Sequence, residues 1–479
     1  MEKIRIYNTL TGKKDLLKPL KGKKINLFVC GPTVYDFMHI GNARTIIIFD
    51  CFAKYLKQVG FDVFYLQNIT DVDDKIILRA REKGVEAQDL AEAFFKEYLK
   101  DMALAHVTSV KKYAKATDHI KEITSQINRL AEKGYAYKLD DGIYFDISKV
   151  RNYGKLSHRT ALQAEDSISR IDYHKGKKNR GDFCLWKFSP QATIPVVENI
   201  KAEPSWKSPF GAGRPGWHIE DTAITEKYFG AQYDIHGGGR DLMFPHHEAE
   251  ITQMEAVSGK KPMAKYWMHT GFLTINGQKM SKSLNNFITI GNFLKRYSYQ
   301  QLRFWIAKNL WRSPIDYSEG AMIEVAMSLE KIEEFLRKIT NLKLQITNKS
   351  KIQNSKLLKK FKEDFYAGLA DDFNTPKAFA VLFEFIKELN KMLDENLVGK
   401  KEAGEIYRFF EEINKIFDII DFEKLKTSNV PKEVMELVKQ REEYRKNSQW
   451  QKADEVRQEI AKYGFSVDDT KDGTVIKKI

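Results

Sequence analysis

An apolar run from Lys24 to Cys30 ends at Gly31-Pro32, and a helical pattern opens at His39 and runs to about Gln58. In that pattern Ile46, Ile47, Phe49, Phe52, Tyr55 and Leu56 make a broad apolar face, and Gly60 supplies a stop signal. Phe61 to Ile69 then reads as a second strand. Strand, glycine-bearing loop, helix and strand in that order make a right-handed βαβ crossover. The chain is therefore expected to be an α/β protein built on a Rossmann-type parallel sheet, with Cys30 ending a strand at the ligand-binding edge.

Further along, the pattern loosens from about Asp101 to Ser208, with hairpin signals at Asp141-Gly142 and Arg180-Gly181. Gly216 to Tyr228 and Tyr233 to His236 resume the α/β alternation, and Pro245 suits the first turn of a helix running to about Val257. Beyond Met322 the chain reads as almost wholly helical. Ala378, Leu382, Phe385, Ile386, Leu389 and Leu393 share one face of a helix from Pro376, with Thr375 as its N-cap. The Lys-rich stretch from Asn341 to Lys362 reads as a solvated helix or a linker. A last helix from about Pro431 to Tyr463 should stop at Gly464, before a hairpin turning at Asp472-Gly473. Five segments follow: the two halves of the Rossmann-type domain in 1–110 and 211–320, an inserted connective subdomain in 111–210, a helical domain in 321–425 and a small C-terminal domain in 426–479.

Two polar signals fall on this frame. His39-Ile40-Gly41-Asn42 stands where a helix begins beyond a strand's carboxyl end. Free amide groups and the helix dipole favour a phosphate there. Gly41 lets a nucleotide approach the backbone, and His39 can donate to a phosphate oxygen. The plain alternative is a capping loop with a solvent-facing histidine. Far downstream, Lys279-Met280-Ser281-Lys282-Ser283 follows a turn signal at Asn276-Gly277. Two lysines three apart can address one triphosphate and stabilise the charge that builds on pyrophosphate. Alone, that pentad reads equally as a solvated basic loop. Together and in this order, the pair points to an ATP site made from two halves of one domain.

The two signals resemble the HIGH and KMSKS signatures of class I aminoacyl-tRNA synthetases. Cys30-Gly31-Pro32-Thr33-Val34-Tyr35, Asn68 to Lys75, Arg214 to Glu220, His236-Gly237-Gly238-Gly239 and Pro245-His246-His247-Glu248 narrow the resemblance to cysteinyl-tRNA synthetases. It extends through Trp311-Arg312-Ser313-Pro314 and Asp371 to Thr375 to the C-terminal Asp469-Thr470 and Gly473-Thr474. The resemblance implies a catalytic domain, a helical domain holding the anticodon stem and a small anticodon-binding end domain. It implies that cysteine attacks the α-phosphate of ATP and that the cysteinyl group passes to the terminal ribose of tRNA-Cys. His39, Asn42, Lys279 and Lys282 would stabilise the phosphates, with Mg2+ accompanying ATP. Gly31, Thr33, Gly41, Thr45, Gly239 and Asp241, with Lys282, would hold ATP or the adenylate. Cys30, Thr70, Trp217 and His236 would line the cysteine pocket. The family resemblance further implies a cytoplasmic enzyme, expected as a monomer, whose partners are tRNA-Cys, ATP and L-cysteine.

Two positions depart from the pattern. Asn42 stands where the general class has histidine, and it can still donate a hydrogen bond. In the family a Zn2+ ion held by two Cys, one His and one Glu binds the substrate thiolate. The matching residues here are Cys30, Asp221, His246 and Glu250, so an aspartate replaces the second cysteine. His246 and Glu250 are four apart and share a helix face. All four types are acceptable zinc ligands, and the exchange of thiolate for carboxylate keeps the ligand charge while hardening the site. Asp221 could instead stand behind the ligands, or Cys30 could pack as a small hydrophobe.

Charge agrees with a polyanion partner: 79 Lys and Arg against 65 Asp and Glu give +14. An AT-rich genome would raise the lysine count as well. Three scattered cysteines make no disulfide framework, no apolar run is long enough to span a membrane, and the first residues lack a signal-peptide core. Two other readings share this sequence pattern, a ligase joining cysteine to an amino sugar and a catalytically silent RNA-binding relative. The C-terminal hairpin argues against the first, and His39 with the lysine pentad against the second.

Overall fold

Five parallel strands form the centre of the molecule: β1 (Lys24–Val29), β2 (Asp62–Ile69), β3 (Lys112–Lys115), β4 (Tyr233–Gly239) and β5 (Ala264–Thr270). Their order is β5-β4-β1-β2-β3, and every neighbouring pair is parallel. The structure is a computed structural model that describes residues 3–159, 174–189, 203–280, 286–344, 355–426, 431–470 and 473–478. Strand order reverses between β1 and β4, so the crevice at their carboxyl ends is where such a sheet binds ligands. The expected Rossmann-type α/β architecture is present.

Side-chain alternation along the strands sorts the sheet into two faces. Ile25, Leu27 and Val29 of β1 join one apolar cluster, together with α1 (Ile40–Gln58) and the downstream helices. Phe28 and the next residue on that side, Cys30, join the other, which is covered by α2 (Trp217–Phe229) and α3 (Glu248–Ser258). In register, His236 stands beside Phe28 and Trp267 beside His236, so both share that second face. The pleat of β1 alone therefore aims the Cys30 thiol at α2 and α3.

Between β3 and α2 a four-stranded antiparallel sheet runs Ala136–Lys138, Gly142–Phe145, Phe183–Phe188, Gly213–Pro215. Asp141-Gly142 closes its first hairpin as expected. Arg180-Gly181 instead leads into the third strand, because its partner strands lie far apart in sequence. Helices Glu319–Leu344, Ser355–Ala370, Thr375–Asp394 and Lys400–Phe417 follow. The Lys-rich stretch is helical at its described ends, and 345–354 lie outside the described residues.

Three local expectations are corrected. Thr375 is the first helical residue and not the cap, because Asn374 accepts from the Lys377 amide at 3.1 Å. Asn caps as well as Thr does, and Pro376 stays in the first turn either way. Pro245 does not open α3: Phe244 is extended, as residues before proline prefer, and the α-helix starts at Glu248. The final helix is two, Lys432–Lys446 and Trp450–Lys462, broken at Ser448 with φ 58°. The break folds Val434 and Val438 back onto Val456 and Ile460, under Phe465 and Val467 of the terminal hairpin. Residues 471–472, at the expected hairpin turn, lie outside the described residues.

Candidate active site and metal centre

Cys30, Asp221, His246 and Glu250 converge where β1 meets α2 and α3. One donor atom from each lies within 4.8 Å of all the others. The Cys30 Sγ is 2.9 Å from Asp221 Oδ2 and 3.9 Å from Glu250 Oε1. His246 Nε2 stands 3.1 Å from each of those two carboxylates. Asp221, His246 and Glu250 are buried. Burial pushes the Glu250 carboxyl well above its usual range, and Asp221 adds to the rise. The Cys30 thiol is raised by burial and by both carboxylates. Asp221 Oδ1 and Glu250 Oε2 are buried without a hydrogen-bond partner. Two packed carboxylates and a thiol facing one imidazole, with orphaned oxygens, make a donor set that a divalent cation satisfies. Asp221 places a carboxylate oxygen within the same 4.8 Å span as the other three donor atoms.

A wall of rings closes the centre. Trp217 stacks on His246 with centroids 4.1 Å apart, and Trp267 stacks on His236 at the same 4.1 Å. His246 Nδ1 meets His218 Nδ1 at 2.8 Å, which leaves Nε2 for the cluster. Sequence reasoning passed over His218, His247 and His269. His247 Nε2 lies 3.4 Å from Cys30 Sγ, and its Nδ1 is 2.8 Å from His269 Nε2. Burial holds His218, His236 and His247 well below the usual histidine range, so they are neutral. The doubled His246-His247 was the available signal, since both rings reach the same space from adjacent positions. Glu220 was missed too: it accepts from Thr70 Oγ1 at 2.8 Å and ties α2 to the end of β2.

The other end of the crevice is the start of α1. His39 is its N-cap, and His39 Nδ1 accepts from the Asn42 amide at 3.2 Å. In return Asn42 Oδ1 accepts from the His39 amide at 3.3 Å. This reciprocal cap fixes the His39 tautomer: in the neutral ring the proton sits on Nε2. It also gives Asn42 a reason to be there, because its side chain must accept from the backbone. His39 pairs with Thr289 in an isolated bridge, and Ile40 N donates to Ile288 O at 3.0 Å. A Cβ on Gly41 would lie 3.2 Å from Met280 Cε. The two motif halves are therefore adjacent. Asn276 and Gly277, both at positive φ, make the turn before Gln278–Lys279. The Lys279 side chain and residues 281–285, with Lys282, lie outside the described residues.

Between the two ends, Gly31 N donates to Asn68 Oδ1 at 2.6 Å, and a Cβ on Gly31 would fall 1.8 Å from Asn68 O. Thr33 bridges Thr70. Thr45 Oγ1 and Thr270 Oγ1 are 2.6 Å apart. The three glycines lie inside β4. A Cβ on Gly237 would strike Phe49 of α1, and one on Gly238 would come 2.7 Å from His247 Cε1. Those two glycines make room for protein side chains on opposite faces. Gly239 sits against Asp241 Oδ1, close to Thr45.

Comparison with known proteins agrees with this geometry. Residues 16–327 match the class I (C) tRNA synthetase catalytic domain, 364–421 the DALR domain and 427–475 the cysteinyl-tRNA ligase anticodon binding domain. The chain is 42% identical over 472 residues to the cysteine–tRNA ligase of Thermoplasma acidophilum, covering 98% of this chain and 100% of that one. With the enzyme of Methanococcus maripaludis the identity is 43% over 490 residues, covering 99% of each chain. Among solved structures, an Agrobacterium radiobacter LeuRS–tRNA–LeuAMS ternary complex superposes with a TM-score of 0.64 at 11% identity, covering 86% of each chain. Mycobacterium tuberculosis methionyl-tRNA synthetase with methionyl-adenylate gives 0.58 at 14% identity, covering 78% of this chain and 84% of that one. These two likenesses concern the fold. Sequence, domain order and crevice together place the chain in the cysteine–tRNA ligase family of class I aminoacyl-tRNA synthetases.

Proposed function

We propose that this chain carries out its family's reaction, joining L-cysteine to tRNA-Cys by way of cysteinyl-adenylate, with a Zn2+ ion held by Cys30, Asp221, His246 and Glu250. The observation that carries the reading is the convergence of those four donors within 4.8 Å at the crevice that also begins α1. A zinc ion there supplies preference for a thiol, which ionises on coordination, over a hydroxyl, which stays weakly bound. Trp217, His236 and Thr70 shape the space for the amino acid. Glu220 accepts the Thr70 hydroxyl proton and so turns the Thr70 lone pairs outward.

At the phosphate end, His39 donates through Nε2, and the dipole of α1 favours the same charge. Asn42 keeps His39 in that tautomer, and its amide donates outward. Lys279 and Lys282 oppose the charge that develops on pyrophosphate, and Mg2+ accompanies ATP. Gly31, Thr33, Gly41, Thr45, Gly239 and Asp241 line the adenylate, with Asp241 at the substrate amine. The inserted, helical and C-terminal segments follow the boundaries given above, and the last two take the anticodon stem of tRNA-Cys. The protein acts as a cytoplasmic monomer. No helix among the described residues is long and apolar enough to cross a membrane.

Cysteine-dependent pyrophosphate exchange and tRNA-Cys charging test the assignment. Lys282→Ala should lower exchange by about 10²-fold, the scale of a lost transition-state charge contact. Exchange within a few-fold of the unaltered protein would remove Lys282 from the mechanism. Exchange without charging would favour a cysteine ligase acting on another acceptor.

A further inference from the structure

We infer that the centre contains a second coordination position for a divalent ion of the zinc class, formed by Cys30, His236, His247 and Glu250. It shares Cys30 and Glu250 with the position described above and adds two imidazoles in place of Asp221 and His246. The inference rests on the metal reading and extends it. The four donor atoms again lie within 4.8 Å of one another.

Three observations carry it. First, both rings are held from behind. Tyr233 OH is 2.7 Å from His236 Nδ1, and His269 Nε2 is 2.8 Å from His247 Nδ1, with Thr9 Oγ1 at 2.8 Å from His269 Nδ1. Each ring is left with Nε2 facing inward, the arrangement that ligating histidines adopt. Second, His236 Nε2 and Glu250 Oε2 are buried, face each other at 3.7 Å and have no hydrogen-bond partner. Third, the spacings differ between the two sets. Donors about 2.0–2.3 Å from a common tetrahedral centre stand roughly 3.3–3.8 Å from each other. The two spacings that belong to the second set alone are 3.4 Å for His247 Nε2 to Cys30 Sγ and 3.7 Å for His236 Nε2 to Glu250 Oε2. The first set is drawn in to 2.9 and 3.1 Å, which is hydrogen-bond range.

Donor chemistry points the same way. One sulfur, two nitrogens and one oxygen make a softer set than one sulfur, one nitrogen and two oxygens, and zinc favours the softer donors. Ionised Cys30 and Glu250 balance a divalent charge at this position. Gly238 serves this position directly, since any side chain there would push His247 away. Asp221 in place of a thiolate weakens the first position, and the second keeps the ion beside His236, in the cysteine pocket.

Metal content of purified full-length proteins tests this. The unaltered protein should hold about one zinc per chain, and Asp221→Ala/His246→Gln should keep it with affinity lowered by no more than about 10-fold. Adding His236→Gln to that pair should release the zinc. Zinc in the unaltered protein but none in Asp221→Ala/His246→Gln would overturn the second position alone. Absence of zinc from the unaltered protein would overturn the metal reading itself. If the double variant does not fold, the cobalt-substituted single variant His247→Gln decides. A changed visible spectrum supports the position, and a spectrum identical to that of the unaltered protein overturns it.

Discussion

Asp221 and the histidines around it show how single residues set this site. Cys30, His246 and Glu250 were singled out by the family resemblance, and the structure brings their donor atoms together. The partners of those residues were not singled out, because they come from distant segments: His218 from α2, His269 from β5 and Thr9 from near the N-terminus. His269 yields a clear pH test. Burial, with a smaller contribution from Arg240, lowers it to about 3. Below its ordinary value of about 6.5 the unfolded chain takes up a proton that the folded chain refuses, so stability falls as pH drops through that window. His269→Gln should therefore flatten the pH dependence of unfolding free energy by about 1.4 kcal/mol per pH unit between pH 6 and 4. Parallel urea titrations of the two proteins at several pH values measure the slope, and identical slopes would mean His269 is protonated in the fold.

At the scale of elements, α1 does two jobs. Its first turn presents His39, and one turn on, Arg44 reaches across the sheet end. Buried Arg44 donates to the carbonyls of Phe272 at 2.5 Å and Trp311 at 3.2 Å, and also to that of Ser313. Those carbonyls flank the Leu273–Ile275 strand that leads into the lysine pentad. Arg44 thus ties α1 to the residue before the strand that leads to the second motif half. Arg44→Met should cut pyrophosphate exchange by about 10²-fold, the cost of an ångström-scale misplacement, while leaving zinc content unchanged. An equal loss of metal would mean that the whole sheet edge had collapsed. The start of α1 could be read from sequence because a polar residue, a glycine and an apolar run coincide there. The break at Ser448 could not, because apolar periodicity continues on both sides and only the burial of Val434 against Ile460 demands the fold-back. Gly237 and Gly238 of β4 admit Phe49 and His247, contacts between distant segments that no local pattern indicates.

For the whole molecule, the joint between the catalytic half and the helices turns on one buried pair. Arg303 and Asp50 are both fully buried and 2.8 Å apart. Arg303 also donates to the carbonyls of Ala105, His106 and Phe417, at 3.1, 3.1 and 2.6 Å. Burial alone would raise the Asp50 carboxyl, but Arg303 and Lys54 outweigh it and hold it below the usual range. Arg303→Leu leaves Asp50 charged without its main partner, which should lower stability by about 3–5 kcal/mol. Chemical denaturation followed by circular dichroism checks this, and a loss under about 1 kcal/mol would contradict it. Beside this joint, His106 stacks on Tyr299 at 3.5 Å and meets Asp418 at 3.0 Å. A parallel-sheet half followed by helices was readable from periodicity, whereas this joint unites residues of four segments that no local pattern connects.

On the proposed function, the buried donors would hold zinc, and that zinc would take the substrate's sulfur. X-ray absorption at the zinc edge, with and without cysteine, tests it most directly. Bound zinc should show about one sulfur neighbour near 2.3 Å before cysteine is added and about two afterwards, with serine causing no change. A sulfur count that stays the same when cysteine binds would contradict the account.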